Sequence, residues 1–360
     1  MCVDQVYADP LFRSFTGKES FDELLAAFRR IYVKTWTTAP LRQVLRNGVN
    51  WMIPDDHDFT NNADSWMLTS HLAQLLLAGK RAFQEYQLQL RVDLFDPATG
   101  QLLPGADDSS PAGFSRVVGN TALLFVDTRV QRTYHFEPEA PLFGRRQFHD
   151  IQTSVATWGR DPAIDHIFVL SPTPFFINPE SSAHLVYFME KEVLTSHPQV
   201  SNDTDQFLQT LLPFRDKVLI LGGDIHAYLN TSLCHLSSSA AEPSSASDYH
   251  HPCLSQISTS GISNGSAVIN SLKLTLFTAT WTFFTTNKIR GWAYTHHDAY
   301  LAENFVELSI EGPARSVRLV HGELTTIQRV VMFFFTYSVE LCGVSLALTT
   351  IIILKKLLAK

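Results

Sequence analysis

The chain is poor in cysteine, with four in 360 residues (Cys2, Cys234, Cys253 and Cys342), and no two of them stand at C-x-x-C spacing. No zinc signature of that kind is therefore present. Cys234 and Cys253 flank one loop and would be bridged in an oxidising compartment; unpaired thiols are the expectation from spacing alone. Positive charge is scarce too. The 28 Lys and Arg against 35 Asp and Glu leave a net charge of −7, without the basic footprint of a nucleic-acid binder. No G-x-S-x-G occurs, and Ser171 stands before Pro172 with no evident base, which disfavours a nucleophilic serine. A basic, apolar, cleavable leader is missing from the N-terminus, and no internal repeat is visible.

Apolar residues, by contrast, make up 45% of the chain and include 25 Phe, enough for a substantial aromatic core. The densest chemistry lies between Trp51 and Asn62, where Asp55-Asp56-His57-Asp58-Phe59-Thr60-Asn61-Asn62 packs three carboxylates, an imidazole and two carboxamides into eight positions. Hard oxygen donors around a histidine suit divalent cations, although a solvated acidic turn has the same composition. A second segment, Val218-Leu-Ile-Leu-Gly-Gly-Asp-Ile-His226, reads as a buried strand ending in two glycines. Asp224 and His226 follow at period two and point to one side of an extended chain. In parallel α/β sheets that position, beyond a strand's carboxyl end, is where ligands bind.

Asp4-Gln-Val-Tyr7-Ala-Asp9 precedes these two, and the strand-borne Asp127-Thr-Arg129 falls between them. Taken in order, the series G-D-Q-x-Y-x-D, D-D-H-[DE]-x-x-N-N, D-T-R and G-D-x-H resembles the PhoD-like (alkaline phosphatase D-like) branch of the calcineurin-like metallophosphoesterases. Gln256 to Asn264 resembles a late segment of that family, and the likeness extends over roughly residues 1–310. It implies an α/β fold, a four-layer αββα sandwich, with a metallophosphatase domain over residues 1–321. It also implies two metal ions, iron with calcium or magnesium, held by Asp4, Tyr7, Asp55, Asn62, Asp224 and His226. A Tyr7 phenolate would suit ferric iron, and carboxylate and carboxamide oxygens would suit calcium or magnesium.

The substrate expected on this basis is a phosphate mono- or diester, attacked by a metal-activated water. His57 is the candidate general acid or a hydrogen-bonding support, and Arg129 the candidate phosphate clamp, with a salt bridge to Asp127 as its alternative. Asp56, Asp58 and Asn61 are expected to be turn residues that hold Asp55 and Asn62 in position. The family's usual first strand and its ligand lie upstream of the first motif. Val3 replaces the glycine before Asp4, and the chain starts three residues before that aspartate. The expectation is thus an N-terminally truncated domain, and a membrane-anchored, phosphatase-like scaffold without catalysis is the competing function.

Outside the motifs, Ser20 to Trp36 predicts a helix with a Ser20/Glu23 capping box, and Asp64 to about Leu90 a longer one. Strands are predicted at 121–127, 166–170 and 218–221, with helices at 146–158 and 203–214 between them. Antiparallel strands follow near 228–235, 253–260, 304–310 and 316–321, and His296-His297-Asp298 reads as a turn. Residues 330–354 are strongly apolar and precede Lys355-Lys356. As a helix they would extend about 37 Å, which predicts a single membrane span after a linker at 322–329 and before a basic tail at 355–360. Glu340 within that run is the objection.

Overall fold

Three short runs of β-branched and aromatic residues set the centre of the fold: β2 (Thr121–Phe125), β3 (His166–Leu170) and β4 (Val218–Gly222). Every residue of β3 and β4 is buried, the signature of strands covered on both faces. In the computed structural model, residues 6–60, 63, 65–90, 96, 99, 113–129, 142–176, 201–225, 228–236, 252–259, 287–289, 291–300 and 304–321 are described. Their strands form an eight-stranded sheet and a two-stranded ribbon. The sheet order is β1-β2-β3-β4-β6-β5-β8-β7, where β1 is Phe114–Val118, β5 Tyr228–His235, β6 Cys253–Ser258, β7 Asn287–Ile289 and β8 Trp292–Tyr300. The neighbours β2, β3, β4 and β6 run parallel, and the two flanks are antiparallel. All four parallel strands therefore deliver their carboxyl ends to one edge.

One face of the sheet packs on α5 (Arg145–Arg160) and α6 (Ser201–Leu211) through Ile151, Val155, Phe207, Leu208 and Leu211. Against the other lies the ribbon β9 (Asn304–Glu311) and β10 (Ala314–His321), whose Val306, Leu308 and Leu319 meet Phe125, Phe168, Leu170, Leu219 and Leu221. Among the described residues the remaining layer of the expected four-layer αββα sandwich is not found. Phe305, Glu307 and Ser309 on the outer side of the ribbon are exposed, so the described residues make a mixed α/β fold of three layers.

A separate helical lobe precedes the sheet: α1 (Asp9–Ser14), α2 (Phe21–Trp36), α3 (Ala39–Asn47) and α4 (Ala73–Tyr86). The capping box at Ser20 and Glu23 starts α2, and Leu24, Leu25, Phe28 and Tyr32 give it a buried stripe against Leu75, Ala78 and Ala82 of α4. The long helix predicted from Asp64 is broken into a short 3-10 turn at Ser65–Thr69 and then α4. Ser70 is the cause: its Oγ donates to the Met67 carbonyl at 2.8 Å and accepts from the Leu72 amide at 3.0 Å, competing with the helical ladder.

No helix among the described residues is long and apolar enough to cross a membrane. The longest, α2 and α5, have 16 residues each. That is about 24 Å, short of a ~30 Å hydrocarbon core. The expectation of a single-pass membrane protein is corrected on this finding; residues 330–354, on which it rested, lie outside the described residues. His296-His297-Asp298 is not a turn but the middle of β8, with His296 buried and its Nδ1 2.8 Å from Thr231 Oγ1. Cys234 and Cys253 face each other in the β5–β6 register and are bridged, not unpaired. The bridge lies at the amino end of β6, away from the edge where the parallel strands end.

Candidate metal centre

At that edge three chain segments converge. The first leaves β2. The Val126 amide extends the pairing by donating to the Leu170 carbonyl at 2.8 Å, and Gln147 of α5 then clamps Asp127. Its Oε1 accepts from the Asp127 amide at 2.7 Å while its Nε2 donates to the Asp127 carbonyl at 2.8 Å. Asp127 Oδ1 in turn accepts from the Arg129 amide at 2.7 Å, a local turn that sends the Arg129 side chain inward.

The second segment follows β4. Gly222 approaches Pro174 so closely that a Cβ there would lie 3.0 Å from the proline Cα. After Gly223, whose amide donates to the Pro172 carbonyl at 2.9 Å, Asp224 adopts φ 67°. Aspartate tolerates this left-handed conformation better than most residues, and such strain concentrates at functional sites.

The third is the D-D-H-D turn. Asp55 caps a one-turn 3-10 helix, Asp56–Asp58, in a reciprocal arrangement: Asp58 Oδ2 accepts from the Asp55 amide at 3.1 Å, and Asp55 Oδ1 from the Asp56 amide at 3.0 Å. Asp58 Oδ1 also accepts from Gln87 Nε2 at 2.9 Å. Burial pushes the Asp58 carboxyl up to about 7, against the lowering pull of the Asp55 amide and Gln87.

Carboxylate oxygens of Asp55, Asp56 and Asp224 all lie within 4.8 Å of one another, and the three residues are 4% exposed or less. The buried guanidinium of Arg129 sits among them. Its Nε bonds Asp55 Oδ1, and its Nη2 lies 3.1 Å from Asp224 Oδ2 and 3.4 Å from Asp56 Oδ1. Three buried carboxylates against one guanidinium leave an excess of negative charge among the described residues, a costly arrangement unless more cation is supplied. The donor set consists of hard carboxylate oxygens and fits a calcium-, magnesium- or manganese-type ion.

Of the candidate ligands, Asp55 and Asp224 are brought together here, whereas Asp4, Asn62 and His226 lie outside the described residues. Tyr7 lays its ring on His57, centroids 4.5 Å apart. His57 Nδ1 lies 2.7 Å from Asp9 Oδ2, and its carbonyl accepts from the Ala8 amide at 2.9 Å, so the first motif is tied directly to the D-D-H-D turn. Arg129, expected to clamp phosphate or to pair with the Asp127 side chain, directs its guanidinium to the three carboxylates. Two participants escaped the sequence reading. Asp56 reads as a turn residue in sequence, and nothing in a D-D pair says which carboxylate faces the site. Asp9 was quoted within the first motif without a role; its place beside Pro10 at a helix start was the available signal.

Neither a family model nor a curated protein matches this chain. Among solved structures, that of PhoD superposes with a TM-score of 0.50 at 15% identity, over 84% of this chain and 60% of the PhoD chain. At this identity the likeness concerns the fold, and the chain spans about three fifths of the PhoD chain's length. The described architecture, a large α/β sheet with loops converging at its parallel carboxyl edge, is therefore PhoD-like.

Proposed function

We propose that this chain is a metal-dependent hydrolase of phosphate mono- or diesters, its catalytic domain lying within residues 1–321. The observation that carries this is the convergence of Asp55, Asp56 and Asp224 at the parallel carboxyl edge of a PhoD-like fold. These three residues hold the metal, with Asp4, Asn62 and His226 as further donors and Tyr7 as the donor suited to ferric iron beside calcium or magnesium. Bound metal supplies charge for the phosphoryl oxygens and lowers the pKa of water to make a nucleophile. Arg129 keeps the carboxylates close together before metal arrives and screens their repulsion. His57, its Nδ1 held by Asp9, delivers a proton through Nε2 to the departing alkoxide, in the orienting arrangement used by histidine acids and bases.

Asp224→Asn tests the reading in the full chain. Turnover of p-nitrophenyl phosphate and bis(p-nitrophenyl) phosphate should fall at least about a hundredfold, as should wild-type turnover in excess chelator. Turnover retained in both cases would overturn the proposal. The second reading, a phosphatase-like scaffold, is favoured by one observation: Arg129 already contacts all three carboxylates and would serve as the site's resident cation. A wild-type chain that binds neither Ca2+ nor Mn2+ in calorimetric titration would select it.

A further inference from the structure

Resting on the metal-site reading above, we infer that Gln87, in the helical lobe, is a positioning residue for the metal centre. It acts by fixing Asp58 and, through Asp58, the backbone of Asp55. Gln87 follows α4 and is 1% exposed. Its Nε2 makes two bonds of 2.9 Å, one to Asp58 Oδ1 and one to the Tyr32 hydroxyl of α2. Tyr32 also hydrogen-bonds Asp58. The other oxygen of Asp58 accepts the Asp55 amide at 3.1 Å, and Asp55 carries one of the clustered carboxylates. A continuous path thus runs from two helices to the ligand turn.

Two features make this path stiff. Tyr32 is fully buried, stacked on Tyr86 at 4.5 Å and edge-on to Trp36 at 5.6 Å, so its hydroxyl has one available direction. Gln87 Oε1 is buried without a partner among the described residues. An amide placed for its own stability would satisfy its carbonyl as well. Here the amide is oriented by its donor side, toward the loop. The one-turn helix Asp56–Asp58 is too short to hold its own shape, since a 3-10 turn of three residues has little internal bonding. Part of its geometry must come from outside, and besides the Val6 and Ala8 amides and the Tyr32 hydroxyl the buried side chain that supplies it from the lobe is Gln87. Partners that orient a ligand without touching the ion commonly change metal affinity 10- to 100-fold.

The test is calorimetric titration of the full chain with Ca2+ and, separately, Mn2+, each variant first checked for folding by circular dichroism. Gln87→Met keeps length and apolar bulk but removes both donors, and it should weaken binding by about tenfold or more. Glu85→Ala is the control: it breaks the half-buried Arg29–Glu85 pair between the same two helices and the Arg81–Glu85 pair within α4, and should leave affinity within about twofold. Equal losses in the two variants would overturn the inference, because general loosening of the lobe would then suffice. Unchanged affinity in Gln87→Met with binding lost in Asp224→Asn would overturn it while leaving the metal site standing. Binding unaffected in both would overturn the site as well. If Gln87→Met does not fold, Tyr32→Phe keeps the ring stack and should still cost affinity severalfold; no change there would also overturn the inference.

Discussion

Two clusters in this molecule are built from the same parts in opposite proportions. In the helical lobe, Arg29 and Arg81 share Glu85, with Arg29 Nη2 at 2.6 Å and Arg81 Nε at 3.0 Å, and the Arg29 side chain is 48% exposed. Burial raises the Glu85 carboxyl, and the bonds from Arg29 and Arg81 more than offset it, leaving its pKa below the usual range. At the sheet edge one guanidinium serves three carboxylates, and none of the four is more than 4% exposed. The surface cluster has spare cation and water on hand, so losing a member costs little. Among the described residues the edge cluster has one guanidinium for three carboxylates, at a depth where water screens them little. Under the proposed function, a bound metal would complete the edge cluster, whereas the lobe cluster has two guanidiniums for one carboxylate.

The largest effect that would break this contrast is at Arg129. In metal-free protein, Arg129→Met should destabilise by about 3–5 kcal/mol, since it leaves buried carboxylates uncompensated. Urea unfolding checks this, and added Ca2+ should recover part of the loss. A variant as stable as the wild type would show that the carboxylates are compensated elsewhere.

A smaller effect sharpens the contrast through pH. The folded Asp58 carboxyl sits at about 7 and the unfolded one near 3.8, so the folded chain binds the extra proton between those values. Stability from this group is greatest below pH 3.8, is lost as pH rises, and is gone above about 7, with a slope of about −1.4 kcal/mol per pH unit. Asp58→Asn, compared with wild type in excess chelator, should remove that slope. An unchanged pH profile would mean that Asp58 is ionised in the folded protein. The smallest effect belongs to the surface: Glu85→Ala should cost less than about 1 kcal/mol by the same urea measurement, and the cost should shrink with added salt.

Much of this was legible in sequence wherever a local rule governed the outcome. The capping box at Ser20 and Glu23, the apolar stripe of α2 and the runs that became β2, β3 and β4 are short-range patterns, and each formed where its pattern indicated. Where partners lie far along the chain, the reading failed. The strand β8 was missed because His296 and His297 look polar in one dimension, whereas pairing with β5 buries His296 against Thr231. The bridge between Cys234 and Cys253 depends on register, and spacing does not encode register. One failure was local: a continuous helix after Asp64 was undone by one serine side chain competing for backbone bonds two and three residues away.

The sequence by itself determined which residues could do chemistry at the candidate site. The acidic turn at 55–58, the aspartate after Gly222-Gly223 and the arginine two residues past Asp127 are all chemical identities, and no fold is needed to see them. Tertiary structure decided which of them meet. Asp56 joins the cluster although turn chemistry alone gave it a supporting part, Asp9 reaches His57 across 48 positions, and the Arg129 guanidinium reaches Asp55 across 74. The reason is physical: carboxylates and a guanidinium attract or repel according to distance and burial, and both are fixed only when parallel strands bring their carboxyl ends to one edge.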